Sequence, residues 1–211
     1  SARSMIIADR NVRQANWRYR ETNFPEDIGG KTLPIVAFGR IGRDVAKKAL
    51  ALDMKVIAYD AYVSREDMTA LGVKKAEDLA AGLTQADFVT IHAPLTPETR
   101  GMVSDEQFKL MKPTAHLLNM GRGPVVDQQA LYRALRAGTI ASAALDVFEQ
   151  EPPEENNPLF ELDNIILSPH NAGDTYEAKQ RCSAKAAQQL ILALQDQDTY
   201  NWVNRVAMER T

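Results

Sequence analysis

The chain has 211 residues, a formal net charge of -3 and a single cysteine, Cys182. That length fills one α/β core and is short for two full domains, and the small negative charge gives no broad positive field to attract a polyanion. One cysteine excludes an intrachain disulfide and fits a reducing, cytoplasmic setting, so neither nucleic acid nor a stapled secreted scaffold is expected.

The first predicted element is a short helical stretch containing Met5-Ile6-Ile7-Ala8, broken at once by Asp9 and Arg10. It falls far short of a membrane span or a signal-peptide core, and no membrane role is expected. Between Arg10 and Arg20, large aromatics alternate with cations, and Phe24 follows. Trp17, Tyr19 and Phe24 suit an arm that packs its rings on a second subunit, which makes a homodimer the expected assembly. Residues 1–30 are therefore read as an N-terminal helix and interface arm.

From Lys31 the rhythm becomes strand, helix, strand. Apolar runs at 33–38, 56–59, 88–91, 116–118, 141–145 and 165–167 are mostly separated by stretches long enough for a crossover helix. This predicts a Rossmann-type α/β fold, a doubly wound parallel sheet flanked by helices. A helix over 40–52 places Ile41, Val45, Ala49 and Leu52 at helical spacing to cover that sheet. Asp127 is placed to cap a later helix that stops at Gly138. The proline-rich acidic segment 149–158 reads as a surface loop, and a closing helix with a C-terminal tail spans 174–211.

The most informative stretch is Ala37-Phe38-Gly39-Arg40-Ile41-Gly42 and the strand that follows it, ending at Asp60. A strand, a tight turn and a helix start lay the N–H groups of Arg40 and Ile41 beneath a dinucleotide pyrophosphate. Gly39 admits phosphate close to the backbone, and Gly42 lets the helix sit against its strand. Asp60 accepts from the hydroxyls of an adenosine ribose and repels a phosphorylated one, so NAD is the expected cofactor. Two features run against the pattern. Ala37 stands where the fingerprint places its first glycine, and its methyl shifts the turn if a positive φ is needed there, which predicts weakened but not abolished binding. Pro34 cannot donate to a sheet ladder, so either the strand starts beyond it or the ladder lacks a bond.

Three later segments carry a resemblance: Leu118-Asn119-Met120-Gly121-Arg122-Gly123-Pro124-Val125-Val126-Asp127, then Ala144-Leu145-Asp146-Val147-Phe148-Glu149-Gln150-Glu151-Pro152-Pro153, and Ser168-Pro169-His170-Asn171-Ala172-Gly173. With His92-Ala93-Pro94-Leu95, the chain resembles the D-isomer-specific 2-hydroxyacid dehydrogenases, most nearly their phosphoglycerate dehydrogenase branch. The resemblance implies that Arg122 grips the carboxylate and keto oxygen of the substrate, that His170 is the acid/base, and that Glu151 hydrogen-bonds the histidine. It places Pro94 and Asp146 near the nicotinamide, and adds Met120, Gly121 and Gly173 to the cofactor-binding set. It also implies that residues 31–173 form the NAD-binding domain and that the substrate domain is largely absent from this sequence.

The chemistry agrees with those roles. A guanidinium fork suits a planar carboxylate and favours a developing alkoxide. A histidine gives and takes a proton near neutral pH, and a carboxylate beside it stabilises imidazolium. The expected reaction interconverts a small 2-oxo acid and a D-2-hydroxy acid. The alternative is a nonenzymatic, NAD-responsive dimeric regulator like the corepressors that resemble these dehydrogenases. The three histidines lack the spacing of a metal site, His116 is expected to be structural, and Cys182 is expected in a core or an interface.

Overall fold

In the computed structural model, which describes residues 2–195 and 197–199, the strands are β1 (Thr32–Val36), β2 (Lys55–Tyr59), β3 (Lys74–Lys75), β4 (Phe88–Ile91), β5 (His116–Asn119), β6 (Ser142–Leu145) and β7 (Ile165–Leu167). They form one sheet in the order β3-β2-β1-β4-β5-β6-β7, and every pairing is parallel. The chain winds outward from β1 to one edge and from β4 to the other. This is the Rossmann arrangement, with its topological switch point between β1 and β4.

Alternation along the strands divides the core. Val36, Val89, Ile91 and Leu117 join one apolar cluster with Phe108, Leu131 and Leu159, while Ile35, Phe88 and Leu118 join a second with Ala46 and Met68. Successive side chains point to opposite faces of a strand, so these are the two covered faces of a parallel sheet.

The crossover helices begin where the sequence provides caps. Asp127 accepts from the Ala130 N–H at 2.8 Å to start α7 (Gln128–Arg136), and Gly138 follows the helix end with φ 68°. Ser64 and Asp78 cap α4 (Arg65–Thr69) and α5 (Leu79–Leu83) in the same way. Ser104 and Gln107 form a capping box on α6 (Asp105–Leu110). Capping side chains replace intrahelical partners that first-turn N–H groups lack.

The helix after β1, α3 (Arg40–Ala51), turns inward a face shifted from the one the apolar spacing predicts: Ala49 is buried and Val45 packs against the second cluster as expected, but Ile41 and Leu52 do not. Gly42, Ala46 and Ala49 are its buried residues, whereas Ile41 is 62% exposed and Leu52 54% exposed. The cause is steric. A Cβ on Gly42 would lie 2.4 Å from the Ala37 carbonyl oxygen and 3.3 Å from Ile35 Cγ2, so only a face of small residues comes this close to β1.

Strand β1 begins before Pro34. Thr32 and Val36 bond toward β4, accepting from Asp87 N–H at 3.0 Å and His92 N–H at 2.9 Å, and Pro34 faces the same side. Pairing of β1 with β4 involves only Ile35 and Val36, whereas pairing with β2 runs from Thr32 to Val36. Bonds toward β4 thus flank Pro34, and the edge lacks the one bond that its nitrogen would have given.

The described residues divide into two compact units, one ending at Pro169 and the other beginning at His170. In the first, α1 (Met5–Arg13) and α2 (Tyr19–Thr22) contain no buried residue, and Arg10 pairs with Asp163 at 2.8 Å. Trp17 and Phe24 are 63% and 79% exposed. In the second, α8 (Tyr176–Leu194) starts with Thr175 accepting from the Ala178 N–H at 3.0 Å. None of its described residues is buried, and Cys182 is exposed, so a core position for that thiol is ruled out. No described helix is long and apolar enough to cross a membrane. The expected tail beyond residue 199 lies outside the described residues.

Candidate active site

The register sets the site. Tyr59, Val36, Ile91, Asn119, Leu145 and Leu167 align as one row across β2, β1, β4, β5, β6 and β7. The residues just after that row emerge at the carboxyl edge: Asp60, the turn from Ala37 to Gly42, Pro94, the turn from Met120 to Arg122, Asp146 and Ser168. An open α/β sheet binds its ligands at this edge, about the switch point.

At β1, Ala37 adopts φ 71°, the left-handed conformation that glycine normally supplies. Ala37 itself takes the positive φ, so the methyl does not displace the turn, and Gly42 still packs on the Ala37 carbonyl. Gly39 has φ -75°, and a Cβ added there would meet nothing within 4 Å. Its value is open space over the backbone. The first Arg43-to-Gly39 helical bond, at 3.0 Å, leaves the N–H groups of Arg40 and Ile41 ahead of the ladder, facing the helix N-terminus. Open space above glycine together with first-turn donors fits a pyrophosphate.

Asp60 is fixed from both sides. Its Oδ2 accepts from Phe38 N–H at 2.8 Å, and its Oδ1 accepts from Tyr62 and Val63 N–H at 2.8 and 3.1 Å. A carboxylate has about four lone-pair sites, so capacity remains for a ribose hydroxyl. Arg65, the next cation along the chain, pairs with Glu77.

Around β5 the side chains hold backbone. Buried Asn119 accepts from Gly121 N–H through Oδ1 and donates to the Arg122 carbonyl through Nδ2, both at 3.1 Å. The exposed Arg122 returns one Nη1–H to the Gly121 carbonyl at 2.8 Å, leaving most of its fork available. A Cβ on Gly121 would lie 2.7 Å from the Ala93 carbonyl oxygen, and one on Gly123 would lie 1.8 Å from that of Phe148. Glycine at these places lets the Arg122 turn rest against the turns after β4 and β6. Glu151, on the loop after β6, accepts from Phe148 N–H at 2.9 Å. Arg122 and Glu151 are thus carried by two loops whose backbones meet at Gly123.

Asp146 is buried and accepts from the Ser168 hydroxyl at 2.6 Å. Pro94 is held through its carbonyl by Thr99 Oγ1 at 2.7 Å, and Met120 N–H donates to Ile91 O at 3.0 Å. His92 places Nε2 3.1 Å from Thr90 Oγ1, and burial holds its pKa below the ordinary histidine value. His116 lies at the opposite, amino edge. It stacks on Phe88 at 4.7 Å and shares a 2.7 Å hydrogen bond with Ser142, as a structural residue would.

His170 and Gly173 belong to the second unit. His170 is exposed with φ 51°, another left-handed non-glycine residue, and Gly173 accepts from Thr175 N–H at 3.2 Å. Asn119, Gly123 and Ser168 escaped the residue-by-residue reading. The available signal was a polar residue ending an apolar strand just before a turn with two glycines.

The family model described as D-isomer specific 2-hydroxyacid dehydrogenase, NAD binding domain, matches residues 1–172. The chain belongs to this family. It is 40% identical over 206 residues to a D-3-phosphoglycerate dehydrogenase of Methanocaldococcus jannaschii, covering 95% of this chain and 39% of the relative. It is 43% identical over 209 residues to a glyoxylate reductase of Korarchaeum cryptofilum, covering 97% of this chain and 62% of the relative. Its fold matches a Lactobacillus jensenii D-lactate dehydrogenase solved with NAD+ at TM-score 0.86 and 27% identity, covering 97% of this chain and 64% of that one. An Aquifex aeolicus D-lactate dehydrogenase complexed with NAD and lactic acid matches at TM-score 0.84 and 31% identity, covering 92% and 62%. The chain therefore spans 39% and 62% of the two curated relatives' lengths. NAD is the cofactor of the family, and the Gly39 turn and Asp60 fit it.

Proposed function

We propose that this chain supplies the NAD-binding domain and chemical side chains of an oxidoreductase that interconverts a small 2-oxo acid and a D-2-hydroxy acid. The observation that carries the reading is the meeting of the Arg122 and Glu151 loops at Gly123, on the sheet edge that also presents the Gly39 turn and Asp146. In this reading residues 31–173 form the nucleotide-binding domain, between an arm at 1–30 and a closing segment at 174–211. Gly39, Arg40, Ile41, Gly42 and Asp60 hold the pyrophosphate and ribose. Pro94, Met120, Gly121, Asp146 and Gly173 line the nicotinamide end.

Bound NAD supplies the hydride acceptor or donor. Arg122 grips the carboxylate and stabilises negative charge on the oxygen at C2. His170 gives that oxygen a proton during reduction and takes it back during oxidation, and Glu151 supports the charged ring. The protein works as a cytoplasmic homodimer joined through the arm.

Replacing His170 with Ala is expected to lower turnover by about 10²- to 10⁴-fold and leave NADH affinity intact. Steady-state reduction of glyoxylate, pyruvate, hydroxypyruvate and phosphohydroxypyruvate, together with fluorescence titration of NADH, measures both. Unimpaired reduction by the variant removes His170 from its role. The exposed aromatic arm also favours a second reading, a nonenzymatic NAD-responsive dimer. Failure of the natural full-length protein to reduce any 2-oxo acid while it still binds NADH selects that reading.

A further inference from the structure

We infer that Asn119 is a positioning residue that aims the Arg122 guanidinium at the substrate, an inference that rests on the dehydrogenase reading. Asn119 is the last residue of β5, buried at 1% exposure, and has register partners on both sides, Ile91 in β4 and Leu145 in β6. Its backbone carbonyl accepts from Asp146 N–H at 3.1 Å, which ties the end of β5 to the start of the loop after β6. Its carboxamide then turns along its own chain and closes the next turn from inside.

Oδ1 takes the Gly121 N–H and Nδ2 gives to the Arg122 carbonyl, each at 3.1 Å, so one side chain holds the peptide that enters Gly121 and the peptide that leaves Arg122. The carbonyl of Gly121 in turn receives Arg122 Nη1–H at 2.8 Å. Orientation passes from the rigid strand end through the carboxamide to the turn, and from the turn to the fork. Arg122 is an exposed, rotamer-rich side chain, and this relay sets where its remaining N–H donors point. A carboxamide offers an acceptor and a donor on one short, planar group without a change of charge. Aspartate keeps the acceptor toward Gly121 and sets an oxygen against the Arg122 carbonyl. Alanine removes both bonds.

The experiment uses the natural full-length protein with Asn119→Asp and Asn119→Ala, measuring KM and kcat for glyoxylate, the affinity of the NADH complex for oxamate, NADH affinity alone, and the melting temperature. The expected result is a rise of about tenfold or more in KM and in the oxamate dissociation constant, because a small misplacement of an orienting group is costly. NADH affinity stays at the parent value in whichever variant melts cooperatively. Parent-like KM and oxamate affinity in a folded variant overturn the inference. So does a common fall in NADH affinity, oxamate affinity and melting temperature, the mark of a residue that only supports the fold. A parent protein that binds NADH but neither reduces a 2-oxo acid nor binds oxamate defeats the dehydrogenase reading itself, and this inference with it.

Discussion

Ala37 holds a conformation that costs an L-residue about 1–2 kcal/mol relative to a right-handed one. It holds φ 71° because the turn is fixed on both sides: its N–H donates to Tyr59 O at 2.9 Å, and Gly42 packs on its carbonyl. The strain therefore falls on stability, and the phosphate-facing geometry is kept. Ala37→Gly removes the strain but gives back about 0.4–1 kcal/mol through the freer unfolded chain. The net effect is a rise in melting temperature of about 1–3 °C for a protein of this size, with unchanged NADH affinity. Calorimetry and a parallel NADH titration check it, and a melting point at or below the parent's contradicts it. Ala37 was legible as a departure from the fingerprint because its neighbours are so regular. That the backbone would accept the alanine was not, since it depends on contacts from β2 and α3.

The inward face of α3 shows where hydropathy misleads. Counting apolar residues puts Ile41 and Leu52 on the inward face beside Ala49, but close approach to β1 favours Gly42 and Ala46 beside Ala49. Size outranks hydrophobicity where two backbones nearly touch. β3, two lysines at the sheet edge, carries no apolar pattern, and its presence was not legible. The other six strands and the caps of α7 were, because their residues act locally. The same logic governs the loops of the site. Gly123→Ala forces a Cβ into the Phe148 carbonyl, so the Arg122 and Glu151 loops separate. The expected cost is about 1–3 kcal/mol or more, read as a lower urea midpoint at unchanged m. Gly39→Ala is expected to do the reverse, leaving the midpoint alone and weakening NADH binding, since its Cβ enters open space that the phosphates need. If the two variants behave alike, the division between a packing glycine and a binding glycine is wrong.

At the scale of the molecule, the proposed roles of Arg122 and His170 came from the resemblance to the family, and the chemistry of each side chain agreed with them: a fork suits a carboxylate, an imidazole a proton, and an aspartate at a strand end a ribose. The strand order is what brings Asp60, Gly39, Arg122 and Asp146 to one edge, and it follows from pairing across long stretches of chain that no local pattern encodes. The arm is the other feature at this scale. Its helices contain no fully buried residue, and Trp17 and Phe24 stand in solvent, with Arg20 stacked 5.4 Å above the Trp17 ring. Sedimentation equilibrium is expected to give a dimer for the parent and a shift to monomer for Trp17→Ala combined with Phe24→Ala, because large aromatics dominate such contacts. A monomeric parent at high concentration refutes the arm as an interface.

Asp60 has a consequence for anyone re-engineering the nucleotide preference. On the proposed reading, the carboxylate that discriminates against a phosphorylated ribose also fastens the end of β2 to the turn after β1 and to the segment beyond it through Phe38, Tyr62 and Val63. Exchanging it for an apolar or basic residue strands those peptide donors, so such a swap of selectivity requires a new acceptor for the backbone as well as a new partner for the phosphate. Recognition and architecture share one side chain here, and neither is tuned without the other.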